Sequence, residues 1–152
     1  MRLHKLLGVA LGAMLALAMV SPGVHGDEQN QMTEVTINEP FQIPGNRVLT
    51  AGTYWFKLID SATVPRTILQ IYNPSRTQLL ATVATRLTYR EHETGRTELE
   101  FATSSRRPMM LVRWFYPGRL AGHTLIYSPR TERRIHRENI ENVFVRTAPI
   151  VG

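Results

Sequence analysis

Cysteine is absent from the 152 residues. That excludes a disulfide framework, a thiolate nucleophile, a Cys-ligated zinc or iron–sulfur centre and a lipid anchor carried on cysteine. Lysine is nearly absent too: beyond residue 26 Lys57 stands alone against fifteen arginines. After residue 26 there is no apolar run of the roughly 20 residues that a membrane-spanning helix takes, no convincing amphipathic helix and no repeat of fixed period. The remaining composition, 43% apolar and 20% charged, is that of an ordinary globular chain and argues against disorder as the main state. The length sets one domain, large enough to build a core without metal or disulfide staples.

The first 26 residues differ from the rest. Arg2 and Lys5 precede an apolar or small run from Leu6 to Val20, Ser21-Pro22-Gly23 breaks it, and Val24 and Gly26 suit the −3 and −1 positions of a cleavage site. This pattern predicts a signal peptide over 1–26, cleaved before Asp27, with an earlier cut near Ala16 and Ala18 or an uncleaved anchor as alternatives. The expected product, 27–152, is exported to the periplasm or beyond the cell. Removing Arg2 and Lys5 takes the net charge from +6 to +4.

The remainder reads as short strands between turns. Thr33 to Ile43 forms an edge strand or two pieces divided at Glu39-Pro40. Pro44-Gly45-Asn46 and Ala51-Gly52 are turn signals, and Thr53 to Ile59 alternates Tyr54, Phe56 and Leu58 against Trp55, Lys57 and Ile59. Arg66 to Tyr72, with Ile68, Gln70 and Tyr72 on one side and Thr67, Leu69 and Ile71 on the other, forms a hairpin with Thr77 to Tyr89 across Asn73-Pro74-Ser75-Arg76. Thr97 to Thr103 has the clearest half-buried pattern, Leu99 and Phe101 inward with Glu98 and Glu100 solvated. Met109 to Tyr116, His123 to Tyr127 and Asn142 to Arg146 complete the set, with Arg130 to Arg137 solvated around a helical turn. Pro117-Gly118 fits a type II turn with positive φ at Gly118, and Gly52 is given the same backbone role. The expected fold is all-β, a single antiparallel β-sandwich or small barrel of about eight short strands.

Four strings, Leu49 to Ser61, Arg66 to Asn73, Leu79 to Val83 and Arg113 to Gly118, carry a resemblance. Over about 49–129 the chain resembles a family of small exported bacterial β-domain proteins of unassigned function, marked by a Pro-Ala-Gly-Thr-Tyr turn into a strand, a Trp-Phe-Tyr-Pro-Gly corner and a later aromatic-Val-Tyr-Pro. Here Thr50 stands where that family usually has proline, and Leu125-Ile126-Tyr127-Ser128-Pro129 carries an inserted serine. The resemblance implies export and a β fold, and implies no catalytic residue.

Two sets of side chains are candidates for binding. Trp55, Tyr54, Trp114, Tyr116 and Tyr127 lie on or beside strands, where exposed rings stack on sugar faces; the competing reading packs them in the core. Trp55 stands out because it shares a face with Lys57. Between Arg106 and Arg137 there are eight arginines and one acid, Glu132. Arg106, Arg107, Arg130, Arg133, Arg134 and Arg137 are the candidate contacts to an anionic partner, since guanidinium binds phosphate and carboxylate bidentately. Glu91-His92-Glu93 offers metal donors, but neighbouring strand residues point apart, and no metal or cofactor is expected. His123 is read as a surface strand residue. Asp60, Glu98 and Glu100 supply carboxylates without a hydrolytic arrangement, and no Gly-x-Ser-x-Gly elbow occurs.

These readings converge on a noncatalytic exported envelope protein acting by binding, its partner an envelope protein or polysaccharide. The alternatives are a carbohydrate-binding domain using exposed aromatics, a secreted hydrolase, and an arginine surface for acidic polymers. No nucleic-acid partner is expected, and a long edge strand would let two copies pair.

Overall fold

The computed structural model describes residues 32–60, 67–105 and 107–145. The expected signal peptide, its cleavage site and Arg106 lie outside the described residues. No helix among the described residues is long and apolar enough to cross a membrane.

The chain is all-β, with ten strands in one mixed sheet and one short helix among the described residues. In chain order they are β1 (Met32–Ile37), β2 (Phe41–Ile43), β3 (Arg47–Leu49), β4 (Gly52–Asp60), β5 (Thr67–Tyr72), β6 (Leu79–Tyr89), β7 (Thr97–Ser104), β8 (Arg107–Phe115), β9 (Ala121–Leu125), α1 (Pro129–Ile135) and β10 (Asn139–Val145). The sheet runs β1-β4-β5-β6-β9-β8, then from β8 outward to β7 and β10 on one edge and to β2 and β3 on the other. Thr33 to Ile43 is therefore divided between β1 and β2, with a bend at Asn38-Glu39 before Pro40.

One pair is parallel, which corrects the antiparallel expectation. β9 pairs only with Arg113, Trp114 and Phe115 of β8, leaving the first half of that edge open. β2 fills it, Phe41 opposite Met109 and Gln42 opposite Met110. A buried edge needs partners for its backbone polar groups, and a segment 68 residues away supplies them here.

The sheet is rolled. Phe56 on β4 meets Trp114 on β8 edge to face at 5.3 Å, and Phe41 on β2 meets Tyr54 on β4 at 5.6 Å. These contacts join strands far apart along the sheet, so they cross its interior. Its ends, β1 and β10, approach within 8 Å at Cα without pairing. The core inside the roll follows the alternation read from the sequence: Tyr54, Phe56 and Leu58 of β4 and Leu69 and Ile71 of β5 are buried, while Trp55, Lys57 and Ile59 are half-buried.

Two glycines fix local geometry. Gly118 has φ +65° and closes the Pro117 turn, its N–H donating to the Thr94 carbonyl at 2.8 Å. Gly52 instead begins β4 and is not among the positive-φ glycines, Gly45 and Gly118. Gly122 carries the tighter constraint: a Cβ there would lie 2.3 Å from the Phe115 ring and 2.6 Å from the Trp114 carbonyl oxygen. The strands β8 and β9 can pack this closely only without a side chain at that position.

Candidate anion-binding cleft

Four of the five candidate aromatics are core residues. Trp114 is fully buried, and Tyr54, Tyr116 and Tyr127 are nearly so. Burial removes them from any stacking surface. Tyr54 donates its hydroxyl proton to the Thr50 carbonyl at 2.6 Å, and Tyr127 donates to the Leu111 carbonyl at 2.7 Å with the Gln42 carbonyl at 3.1 Å. Burial also pushes the Tyr127 phenol well above its ordinary pKa, with nearby Arg134 acting the other way. The Trp114 indole N–H is buried with no acceptor among the described residues. Trp55 is the half-exposed member. Its Nε1 donates to the Pro74 carbonyl at 3.0 Å, and Arg76 lies 4.9 Å over its ring. The tryptophan face is thus already covered by a guanidinium.

The two carboxylates read as a solvated face are buried. Glu98 and Glu100 are 6% and 8% exposed, because β7 lies between β8 and β10 and arginines cover its outer face. Arg90 donates from Nη1 to Glu98 Oε2 at 2.6 Å and to Thr94 Oγ1 at 2.9 Å. Its Nε donates to the Arg119 carbonyl at 3.0 Å and its Nη2 to the Tyr116 carbonyl at 2.9 Å. One buried guanidinium therefore ties together the turns following β6 and β8. Arg113 Nη1 donates to Glu100 Oε2 at 2.5 Å. Burial raises the Glu100 carboxyl above the ordinary glutamate pKa, partly offset by Arg113, and Glu98 adds to the rise.

His123 is buried as well, against the surface reading. It sits opposite Trp114 across β9 and β8, on the inner side of the roll, 3.5 Å from Thr85 Oγ1 by its Nδ1. Glu91, His92 and Glu93 are exposed, and among the described residues no group of three or more His, Cys, Asp or Glu side chains is placed to hold a metal.

The arginines behave differently. Arg107, Arg130, Arg133, Arg134 and Arg137 line one cleft of about 630 Å³. Its other lining residues among those described, Asn46, Ser128 and Thr131, are uncharged, so no carboxylate offsets the five cations. Three local features assemble it. The β2–β3 turn, carrying Asn46, and the start of β8, carrying Arg107, both line the cleft, on strands held side by side by the parallel β2–β8 pairing. Ser128 caps α1, its Oγ accepting from the Thr131 N–H at 3.4 Å, and Pro129 occupies the first turn, where its missing N–H costs nothing. Burial of Ile135 then turns the helix so that Arg130, Arg133, Arg134 and Arg137, at i, i+3, i+4 and i+7, share the cleft side. That spacing was the available sequence signal for their convergence.

Arg134 is the best fixed of the five. Its Nη2 lies 2.8 Å from Met110 Sδ, and its Nε is buried with no partner among the described residues. Among those residues no carboxylate forms a salt bridge to any of the five. Like charges at these helical spacings repel by a few tenths of a kcal/mol per pair, and an anion in the cleft would relieve that repulsion. No family model matches the chain, and neither a curated protein nor a solved structure matches it.

Proposed function

We propose that the chain is a noncatalytic exported binding protein of the cell envelope whose arginine cleft takes an acidic polymer. The observation that carries this is the convergence of Arg107, Arg130, Arg133, Arg134 and Arg137 on one cleft without a lining carboxylate among the described residues. Arginine suits the task, since each guanidinium presents a planar fork of donors to a carboxylate, sulfate or phosphate. Export rests on the charged, apolar and small-residue order of residues 1–26, and the resemblance to exported β-domain proteins agrees with it. A noncatalytic role accords with Glu98 and Glu100 each being held by an arginine.

Fluorescence anisotropy with labelled oligogalacturonate, against neutral dextran, tests the reading. Oligogalacturonate should bind, weaken steeply as salt rises from about 20 to about 150 mM, and lose about tenfold or more in affinity in Arg130→Glu/Arg133→Glu. Trp55→Ala should leave binding unchanged. Salt-independent binding, or equal affinity of the charge-reversed variant, would overturn the proposal; loss of binding in Trp55→Ala alone would move the site to the sugar-stacking alternative.

A further inference from the structure

A second cavity lies on the opposite flank of α1 and shares no lining residue with the cleft. Its volume is about 290 Å³, at the small end of ligand pockets.

One wall is a register row across four strands: Arg86 on β6 opposite Thr124 on β9, Thr124 opposite Arg113 on β8, and Arg113 opposite Glu100 on β7. Directly paired residues project from the same face. Arg86 and Arg113 therefore flank Thr124 on one face, each rooted about one strand spacing, roughly 4.8 Å, to its side. Glu100 holds Arg113 at 2.5 Å, yet 40% of the Arg113 side chain remains exposed, so it is aimed and still has N–H groups to offer. Among the described residues Arg86 is held only by Glu132 at 4.0 Å, a loose and partly solvent-exposed pair.

The opposite wall is acidic. Glu132 of α1 and, just beyond it, His136 and Glu138 line the cavity, while Val112 and Ile135, both buried, provide an apolar floor. Cations on the sheet wall, carboxylates on the helix wall and an apolar floor between them match a small zwitterion with an apolar body.

We propose that this pocket binds a free apolar α-amino acid. Its carboxylate bridges Arg86 and Arg113, its ammonium meets Glu132 and Glu138, and its side chain lies on Val112 and Ile135. The ligand splits the weak Arg86–Glu132 pair and supplies each member with a better partner, so no charge is stranded. This inference does not depend on the polymer-binding reading.

Isothermal titration calorimetry with L-leucine, 4-methylpentanoate and 3-methylbutylamine tests it on the full folded chain. Leucine should bind, and the two analogues, each lacking one charged group, should bind about tenfold or more weakly. Arg86→Gln, at an exposed position, and Glu132→Gln, at a half-buried one, should each weaken leucine by about tenfold with circular dichroism unchanged. Arg130→Glu/Arg133→Glu should leave leucine affinity as it was while abolishing polymer binding. No heat with millimolar leucine or phenylalanine, equal affinity for leucine and 4-methylpentanoate, or full leucine affinity in Arg86→Gln would overturn the proposal.

Discussion

Arg90 and the arginines of the cleft are the same residue in opposite circumstances. Arg90 is buried against an equally buried Glu98, with every arm of its guanidinium bonded to a carboxylate, a hydroxyl or a carbonyl. The five cleft arginines face one another without a carboxylate among the described residues. Net charge does not separate the two groups; the presence of a partner does. An arginine with a full set of acceptors is part of the scaffold, and a set of arginines gathered without acceptors is a surface waiting for an anion.

That contrast can be broken in four experiments. The largest effect should come from Arg90→Ala, which strands Glu98 away from water and unties two turns; a loss of about 3–5 kcal/mol is expected in chemical denaturation. Arg113→Met should cost less, about 1–2 kcal/mol, because its pair with Glu100 is partly solvated and screened. Arg130→Glu/Arg133→Glu should change stability by no more than about 0.5 kcal/mol while removing polyanion binding; a large loss of stability there would place these arginines with Arg90.

The smallest effect concerns pH. The folded state raises the Glu100 carboxyl, chiefly by burial, so folding takes up protons there. The native state binds more protons than the unfolded chain in the window just above the ordinary glutamate value, and stability declines as pH rises through it. Thermal melts of the wild type and Glu100→Gln between about pH 4 and pH 6 should show the wild type losing ground to the variant with rising pH. A gap that stays constant would mean the carboxyl is not raised.

Period-two patterning was enough to read β4 and β5, because each has one apolar face and lies in a regular antiparallel ladder. The same rule misplaced Glu98 and Glu100. Strand alternation assigns faces but does not say whether a polar face meets water or a guanidinium, and Arg90 reaches Glu98 from a turn that carries no pattern. His123 was misplaced for a related reason, since its side is set by the pairing with Trp114. The candidate arginines were visible as a run with one acid. Their convergence was legible only in part: the i, i+3, i+4, i+7 spacing groups the four from Arg130 to Arg137, but their meeting with Arg107 depends on how a helix of only seven residues packs beside β8. Four of the five aromatic candidates are buried, because a rolled sheet this small uses its large rings to fill the interior.

The parallel pair has a further consequence, for the order in which the molecule assembles. Most neighbouring strands can zip from a nearby turn, as β5 and β6 do across 73–78, but β2 has no binding edge until β8 has formed and β9 has left half of it vacant. Non-local pairings of this kind are slow to close, since the chain entropy of the intervening loop is lost before any contact is gained. The β2–β3 hairpin should therefore dock late. Since that docking brings Asn46 to the lining of the cleft, the cleft would be among the last parts of the surface to be completed, whole only on a chain that has finished folding.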